Sequence, residues 1–238
     1  MNLGKLHLLD EFDDHKAIVA RHIEQQKGRA VGPLNILEAG CGRGWPYRLA
    51  DVPMTLTGID MDEEALAARK RNGDLDVGIL GDLRGISLPE SNFDIIYSRF
   101  VLEHVLGAEA VLDNFLRWLK PGGLMILLFP DRDTVYSFLT RMTPFYFHIL
   151  FKRYLVGEKT AGQKGFGPYP TYSEKVTSRR LFAEYCRSRN LLIIEEHGFG
   201  DDRFPRILHL FTKMFEFLSF QTLQSDHTNL LYVIRKPD

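Results

Sequence analysis

The stretch Leu34-Asn35-Ile36-Leu37-Glu38-Ala39-Gly40-Cys41-Gly42-Arg43-Gly44 constrains this chain more than any other. A mostly apolar run closing on three glycines at alternate positions reads as a buried strand ending in a tight turn. A strand of that kind belongs in a parallel sheet with both faces covered by helices. The glycines let the backbone turn sharply and let a ligand approach without meeting a Cβ. Their spacing separates ligand classes. A dinucleotide fingerprint would place its third glycine where Trp45 stands, and no Lys-Ser/Thr pair follows to cradle a phosphate.

Further apolar runs follow at 54–59, 77–80, 93–97, 124–129, 191–195 and 230–234, and helical patterns separate several of them. Residues 8–27 read as a polar amphipathic helix ending near Gly28. Val111, Leu112, Phe115, Leu116 and Leu119 share one helical face, and Lys120-Pro121-Gly122-Gly123 stops that helix. Leu181, Phe182, Tyr185 and Cys186 repeat the pattern, with Ser173 or Thr177 as candidate caps. Strand alternating with helix predicts a doubly wound α/β fold, and 238 residues suit one domain over 1–238. Two stretches break the rhythm. Residues 131–172 hold Tyr136, Phe138, Phe145, Tyr146, Phe147, Phe151 and Tyr154. Residues 198–228 hold Ile207, Leu208, Leu210, Phe211, Met214, Phe215, Phe217 and Leu218 at helical spacing.

Polar residues gather where these strands end. Thr57-Gly58-Ile59-Asp60 closes the second run with a carboxylate able to accept from a ribose diol. Gly81-Asp82-Leu83 follows the third, and Phe93-Asp94-Ile95-Ile96-Tyr97-Ser98 runs on to Leu102-Glu103-His104-Val105. Either acid could merely cap a helix, but Asp62 is a competing cap and leaves Asp60 freer. Ligands of open α/β sheets bind at this carboxyl edge.

Taken in order, Leu37 to Gly44, Gly58-Ile59-Asp60, Gly81-Asp82-Leu83, Phe93 to Ile96, Leu102 to Val105 and Leu119 to Gly123 make the chain resemble the class I S-adenosylmethionine-dependent methyltransferases, in particular their ubiquinone-type and small-molecule subgroup. The resemblance implies a Rossmann-like sheet of seven strands, mostly parallel with the last antiparallel, plus an aromatic helical insertion. It implies S-adenosylmethionine as cofactor and S-adenosylhomocysteine as product. Glu38, Gly40, Cys41 and Gly42 would line the methionine end, with Ser98 beside it. Asp60 would hold the ribose, with Met61 packing near adenine. Gly81-Asp82-Leu83 would meet the adenine, Asp82 accepting from its amino group.

The acceptor is less legible. A net charge of −1 argues against nucleic acid as partner. So does Ser98-Arg99-Phe100, which stands where nucleic-acid amino-methylating enzymes carry an Asp/Asn-Pro-Pro-aromatic string. No carboxylate cluster or histidine spacing suggests a metal, and Cys41 and Cys186 lack any ligand pattern. A small, apolar or lipid-like metabolite remains, with 131–172 and 198–228 as lids and Tyr136, Phe147 and Tyr154 on the substrate side. A hydroxyl acceptor would need a base, for which His104, His148 and Tyr136 are candidates. Arg141, Lys152, Arg153, Lys159 and Lys164 against Glu158 alone fit a phosphorylated or lipid-linked acceptor, an anionic membrane face, or simply a solvated basic surface. Acidic residues from Asp10 to Asp14 oppose a secretory leader, so a cytoplasmic protein is expected. The rival readings are a non-catalytic binding scaffold on this fold and a nicotinamide-dependent oxidoreductase.

Overall fold

The structure is a computed structural model that describes residues 4–47, 49, 52–154, 157–163, 167–200, 206–220 and 222–238, with 206–211 as backbone alone. In chain order its elements are β1 (His7–Leu8), α1 (Asp14–Lys27), β2 (Leu34–Ala39), β3 (Met54–Asp60), α2 (Glu63–Asn72), β4 (Val77–Leu80) and β5 (Phe93–Arg99). They continue with α3 (Ala108–Trp118), β6 (Leu119–Pro130), α4 (Val135–Met142), α5 (Phe145–Tyr154), α6 (Arg179–Ser188), β7 (Leu192–Phe199), α7 (Arg206–Leu218) and β8 (Asn229–Arg235). Short 3-10 turns lie at Leu102–His104 and Lys175–Thr177.

The strands form one sheet in the order β1-β7-β8-β6-β5-β2-β3-β4, and β8 runs antiparallel to both neighbours. Alternate residues of each central strand feed opposite faces, as the pleat requires. In β6, Met125, Leu127 and Phe129 pack with Val111, Leu112, Phe115 and Trp118 of α3 and Phe182, Tyr185 and Cys186 of α6. Leu124, Ile126 and Leu128 face the other way, with Val19 and Ile23 of α1. Helices therefore cover both faces, and the apolar runs are continuous because no face of these strands meets water.

The structure departs from the sequence expectation in four places. An eighth strand, β1, pairs in parallel with His197 and Gly198 of β7. A Cβ at Gly198 would lie 2.6 Å from Leu6 Cδ2 and 2.9 Å from Leu8 Cδ2, so the glycine is what admits this segment. In consequence the first helix begins at Asp14, not residue 8. The α3 helix ends at Trp118, and Leu119 turns extended (φ −75°, ψ 133°), so Lys120-Pro121-Gly122-Gly123 belongs to β6. Finally, Ser178 caps α6, its hydroxyl accepting from Leu181 N at 3.3 Å. The Thr177 hydroxyl donates instead to Glu174 O, and Ser173 sits at φ +42°.

The excursion 131–172 contains α4 and α5, and 198–228 contains α7. The expected side chains of Ile207, Leu208, Leu210, Phe211 and Lys164 lie outside those described. No described helix is long and apolar enough to cross a membrane.

Candidate functional site

Four adjacent parallel strands, β4-β3-β2-β5, bring their carboxyl ends to one edge. After β2 the chain turns through Gly40 and Gly42, both left-handed at φ +72° and +54°. A Cβ on Gly40 would fall 2.2 Å from Val101 Cγ2, so this glycine lets the loops after β2 and β5 touch. At Gly42 and Gly44 an added Cβ would meet nothing within 4 Å. The loop opens on free space there. No helix starts at Trp45 to Tyr47, where a pyrophosphate would need a helix N-terminus. Trp45 packs instead edge-on against Tyr47 and Tyr97, whose hydroxyls are hydrogen-bonded at 2.6 Å.

Asp60, at the end of β3, accepts from Gly42 N at 2.8 Å through Oδ2 and from Asp62 N at 2.9 Å through Oδ1. Each oxygen keeps a lone pair for a diol. Asp62 caps α2, accepting from Glu64 N at 3.0 Å, so the cap does not fall to Asp60.

Glu38 is buried below the loop. Its Oε2 accepts from Arg69 NH1 at 2.8 Å, and the same nitrogen donates to Cys41 O at 2.7 Å. Arg69 Nε donates to Asp74 Oδ1 at 2.6 Å, and Asp74 Oδ2 accepts from Trp45 N at 3.0 Å. One fully buried guanidinium thus ties α2 to both ends of the glycine loop. Burial pushes the Glu38 carboxyl up to about 7 against the opposing pull of Arg69. Burial also pushes the Cys41 thiol up to about 12, which leaves it neutral and unreactive. Ser98 is buried and gives its hydroxyl proton to Ala39 O at 3.1 Å, bracing the root of the loop.

Asp82 lies at the β4 end and is held by Arg84, with Nε donating at 3.0 Å and the Arg84 backbone N at 2.9 Å. Those hydrogen bonds keep its carboxyl below the usual range. An amino group would have to share Asp82 with Arg84. Met61 is exposed at the β3 end, whereas Leu83 packs into the core and its carbonyl accepts from Asn114 Nδ2 at 2.8 Å. Gly81 N donates to Asp60 O at 3.0 Å and fixes the spacing of the two acids.

Glu103 and His104 stand beyond β5. Glu103 is buried with Oε2 unpartnered, and desolvation raises its carboxyl to about 8. His104 Nδ1 lies 2.8 Å from Pro170 O. A carbonyl only accepts, so Nδ1 carries the hydrogen and Nε2 keeps its lone pair. Burial lowers the imidazole's pKa and keeps it neutral. His148 is engaged elsewhere, its Nε2 2.7 Å from Thr143 Oγ1 at the α4–α5 turn.

Residues 167–173 form a wall over this edge. Tyr172 N and Ser173 N donate to Glu103 O, and Tyr169 stacks edge-on against His104. Burial and the nearby carboxylates of Asp62 and Asp60 raise the Tyr169 phenol. Tyr169 and Tyr172 were not singled out in the sequence, since nothing in a loop's composition shows which strand end it will cross. Of the substrate-side candidates, Tyr136 is half-buried on α4, and Phe147 and Tyr154 are exposed on α5. Arg69 also escaped notice, since basic residues in the last turn of a helix read as complements of its dipole, and Arg84, in the turn after β4, reads as an ordinary exposed arginine. Among the described residues, no three His, Cys, Asp or Glu side chains converge as for a metal.

Residues 37–127 match a family model described as a methyltransferase domain. A probable S-adenosylmethionine-dependent methyltransferase of Mycolicibacterium smegmatis is 32% identical over 125 residues, 52% of this chain and 46% of that protein. A malonyl-[acyl-carrier protein] O-methyltransferase of Buchnera aphidicola is 24% identical over 130 residues, 53% of each. The chain thus spans about half the length of these curated relatives. In fold it is similar to the N-methyltransferase NodS of Bradyrhizobium japonicum, solved with S-adenosyl-L-homocysteine. The TM-score is 0.55 at 17% identity, covering 96% of this chain and 90% of that one. The matched segment carries the glycine loop, Asp60, Asp82 and Glu103 in the order of the strands, and over it the chain is similar to the S-adenosylmethionine-dependent methyltransferases.

Proposed function

We propose that this chain transfers the methyl group of S-adenosylmethionine to a small, apolar or lipid-like acceptor lying between the carboxyl edge of the sheet and the 131–172 excursion. The observation that carries the reading is the Asp60 carboxylate, fixed by the Gly42 and Asp62 amides beside a loop that opens on free space. The residues fit the cofactor: the loop offers room for the methionine end, Asp60 keeps lone pairs for the ribose, and Asp82 stands at the next strand end. The bound cofactor supplies an electrophilic methyl on a sulfonium. The acceptor's lone pair forms the new bond as the sulfur–carbon bond breaks and its electron pair stays on sulfur.

What the chain itself contributes is position. Holding the acceptor in line can supply roughly 7–11 kcal/mol of the barrier. The wall at 167–173 and the lids at 131–172 and 198–228 keep water away. For a hydroxyl acceptor, the proton goes to His104 Nε2. His148 is a weaker candidate because Thr143 occupies its Nε2.

Calorimetric titration with S-adenosylmethionine and S-adenosylhomocysteine tests the reading. Binding of both is expected. Asp60→Ala should weaken both by at least about tenfold, the loss of a hydrogen bond to a charged group. Absence of binding to the parent would move the chain to a non-catalytic scaffold on this fold. Once an acceptor is in hand, His104→Gln should lower kcat by about a hundredfold while leaving S-adenosylhomocysteine affinity unchanged. An unchanged kcat would remove His104 from catalysis.

A further inference from the structure

The α5 helix, Phe145-Tyr146-Phe147-His148-Ile149-Leu150-Phe151-Lys152-Arg153-Tyr154, is apolar around most of its circumference, yet none of its residues is buried. A helix of that composition is normally enclosed. Here Tyr146, Phe147 and Tyr154 are more than half exposed, as is Met142 at the end of α4. The α7 segment, which packs on α4, adds Phe217 and, just beyond it, Phe220. Exposed apolar side chains in this number on α4, α5 and α7 mark a place where something docks.

We infer that this surface lies on an anionic lipid bilayer, a partner that rests on the proposed lipid-like acceptor and would present it to the site. Charge selects the occupant. Residues 141–164 carry five basic residues against one acidic, in a chain whose net charge is −1. A second copy meeting this face across a two-fold axis would set one net-positive segment against the other. An anionic surface suits both the positive excess of this segment, with Lys159 exposed, and the aromatic side chains, with tyrosine hydroxyls left at headgroup level. At about 15 Å, a ten-residue helix lies on a membrane and does not span it.

Co-sedimentation of the full chain with vesicles of phosphatidylglycerol and phosphatidylcholine, compared with phosphatidylcholine alone, tests the inference. Pelleting should require the anionic lipid and weaken with salt. Lys159→Ala should lower the partition by about fivefold. The double variant Y146S/F217S should release the chain from vesicles while keeping S-adenosylhomocysteine affinity, which also shows that it is folded. No lipid-dependent pelleting overturns the inference. So does a dimer, seen by light scattering, that Y146S/F217S dissolves. Cofactor binding without vesicle binding overturns this inference alone. Vesicle binding without cofactor binding overturns the methyltransferase reading and leaves the membrane surface standing.

Discussion

Arg69→Met is expected to cost about 3–5 kcal/mol of stability, read as a lowered urea midpoint at unchanged slope. The side chain is fully buried and its guanidinium bonds Glu38, the Cys41 carbonyl and Asp74, tying α2 to the glycine loop. Removing it leaves the Glu38 carboxylate without a cation, the Cys41 carbonyl without a donor and Asp74 with less to hold. Such a loss is a large share of a typical domain's 5–15 kcal/mol. The size should depend on pH. Glu38 titrates at about 7 in the fold against an ordinary 4.5. At pH 5 it holds a proton in either variant and needs no cation; at pH 8 only the parent keeps it ionised, paired with Arg69. The penalty should therefore widen from pH 5 to pH 8. Adding Glu38→Gln to Arg69→Met should recover part of it, because a neutral amide no longer needs the cation. A cost below about 1 kcal/mol at pH 8 would show that the guanidinium is incidental to the loop.

What the sequence revealed and what it hid divide along a physical line. Backbone devices were legible: alternating glycines, an acid closing a strand and a buried run each follow from rules of a few residues' range. For that reason the 34–44 turn, the strand-closing Asp60 and the Asp62 cap were legible, whereas the antiparallel β8 was an implication of the family resemblance. Contacts between residues far apart were not. Nothing local to Arg69 says that it turns inward toward a carboxylate 31 positions away. Arg84 resembles any exposed arginine until it is seen on Asp82. Two-residue β1 is too short to show a period, and it exists only because Gly198 leaves room. The acceptor side was the least legible, since the loop holding Tyr169 and Tyr172 is placed by two hydrogen bonds to the Glu103 carbonyl. Backbone contacts of that kind have no sequence signature.

The second large effect lies at the root of both excursions. His227 is buried, with Nε2 2.9 Å from Asp131 Oδ2 and Nδ1 2.7 Å from Asp226 Oδ1. Both nitrogens face carboxylates, so both carry hydrogens and the ring is a cation. Burial alone would lower its pKa, but the hydrogen bonds to Asp131 and Asp226 outweigh burial and raise it to about 9. A histidine whose folded pKa exceeds its unfolded 6.5 stabilises fully below 6.5, and that stabilisation is lost as pH rises through 9. The parent should therefore lose on the order of 3 kcal/mol between those limits. His227→Gln should flatten that slope and should leave S-adenosylhomocysteine affinity unchanged, because the cofactor edge is carried by β2 to β5. The loss has a place in the structure. Asp131 also accepts from Asp133 N, while Val135 N donates to Gln224 O and Gln224 N to Asp133 O. These bonds join the start of 131–172 to the end of 198–228, so neutralising His227 should loosen both excursions at their common root. Amides of Asp133, Val135 and Gln224 should then lose exchange protection at high pH before those of β2 and β3. Uniform loss across the sheet would mean that His227 stabilises the whole fold and has no special hold on the lids.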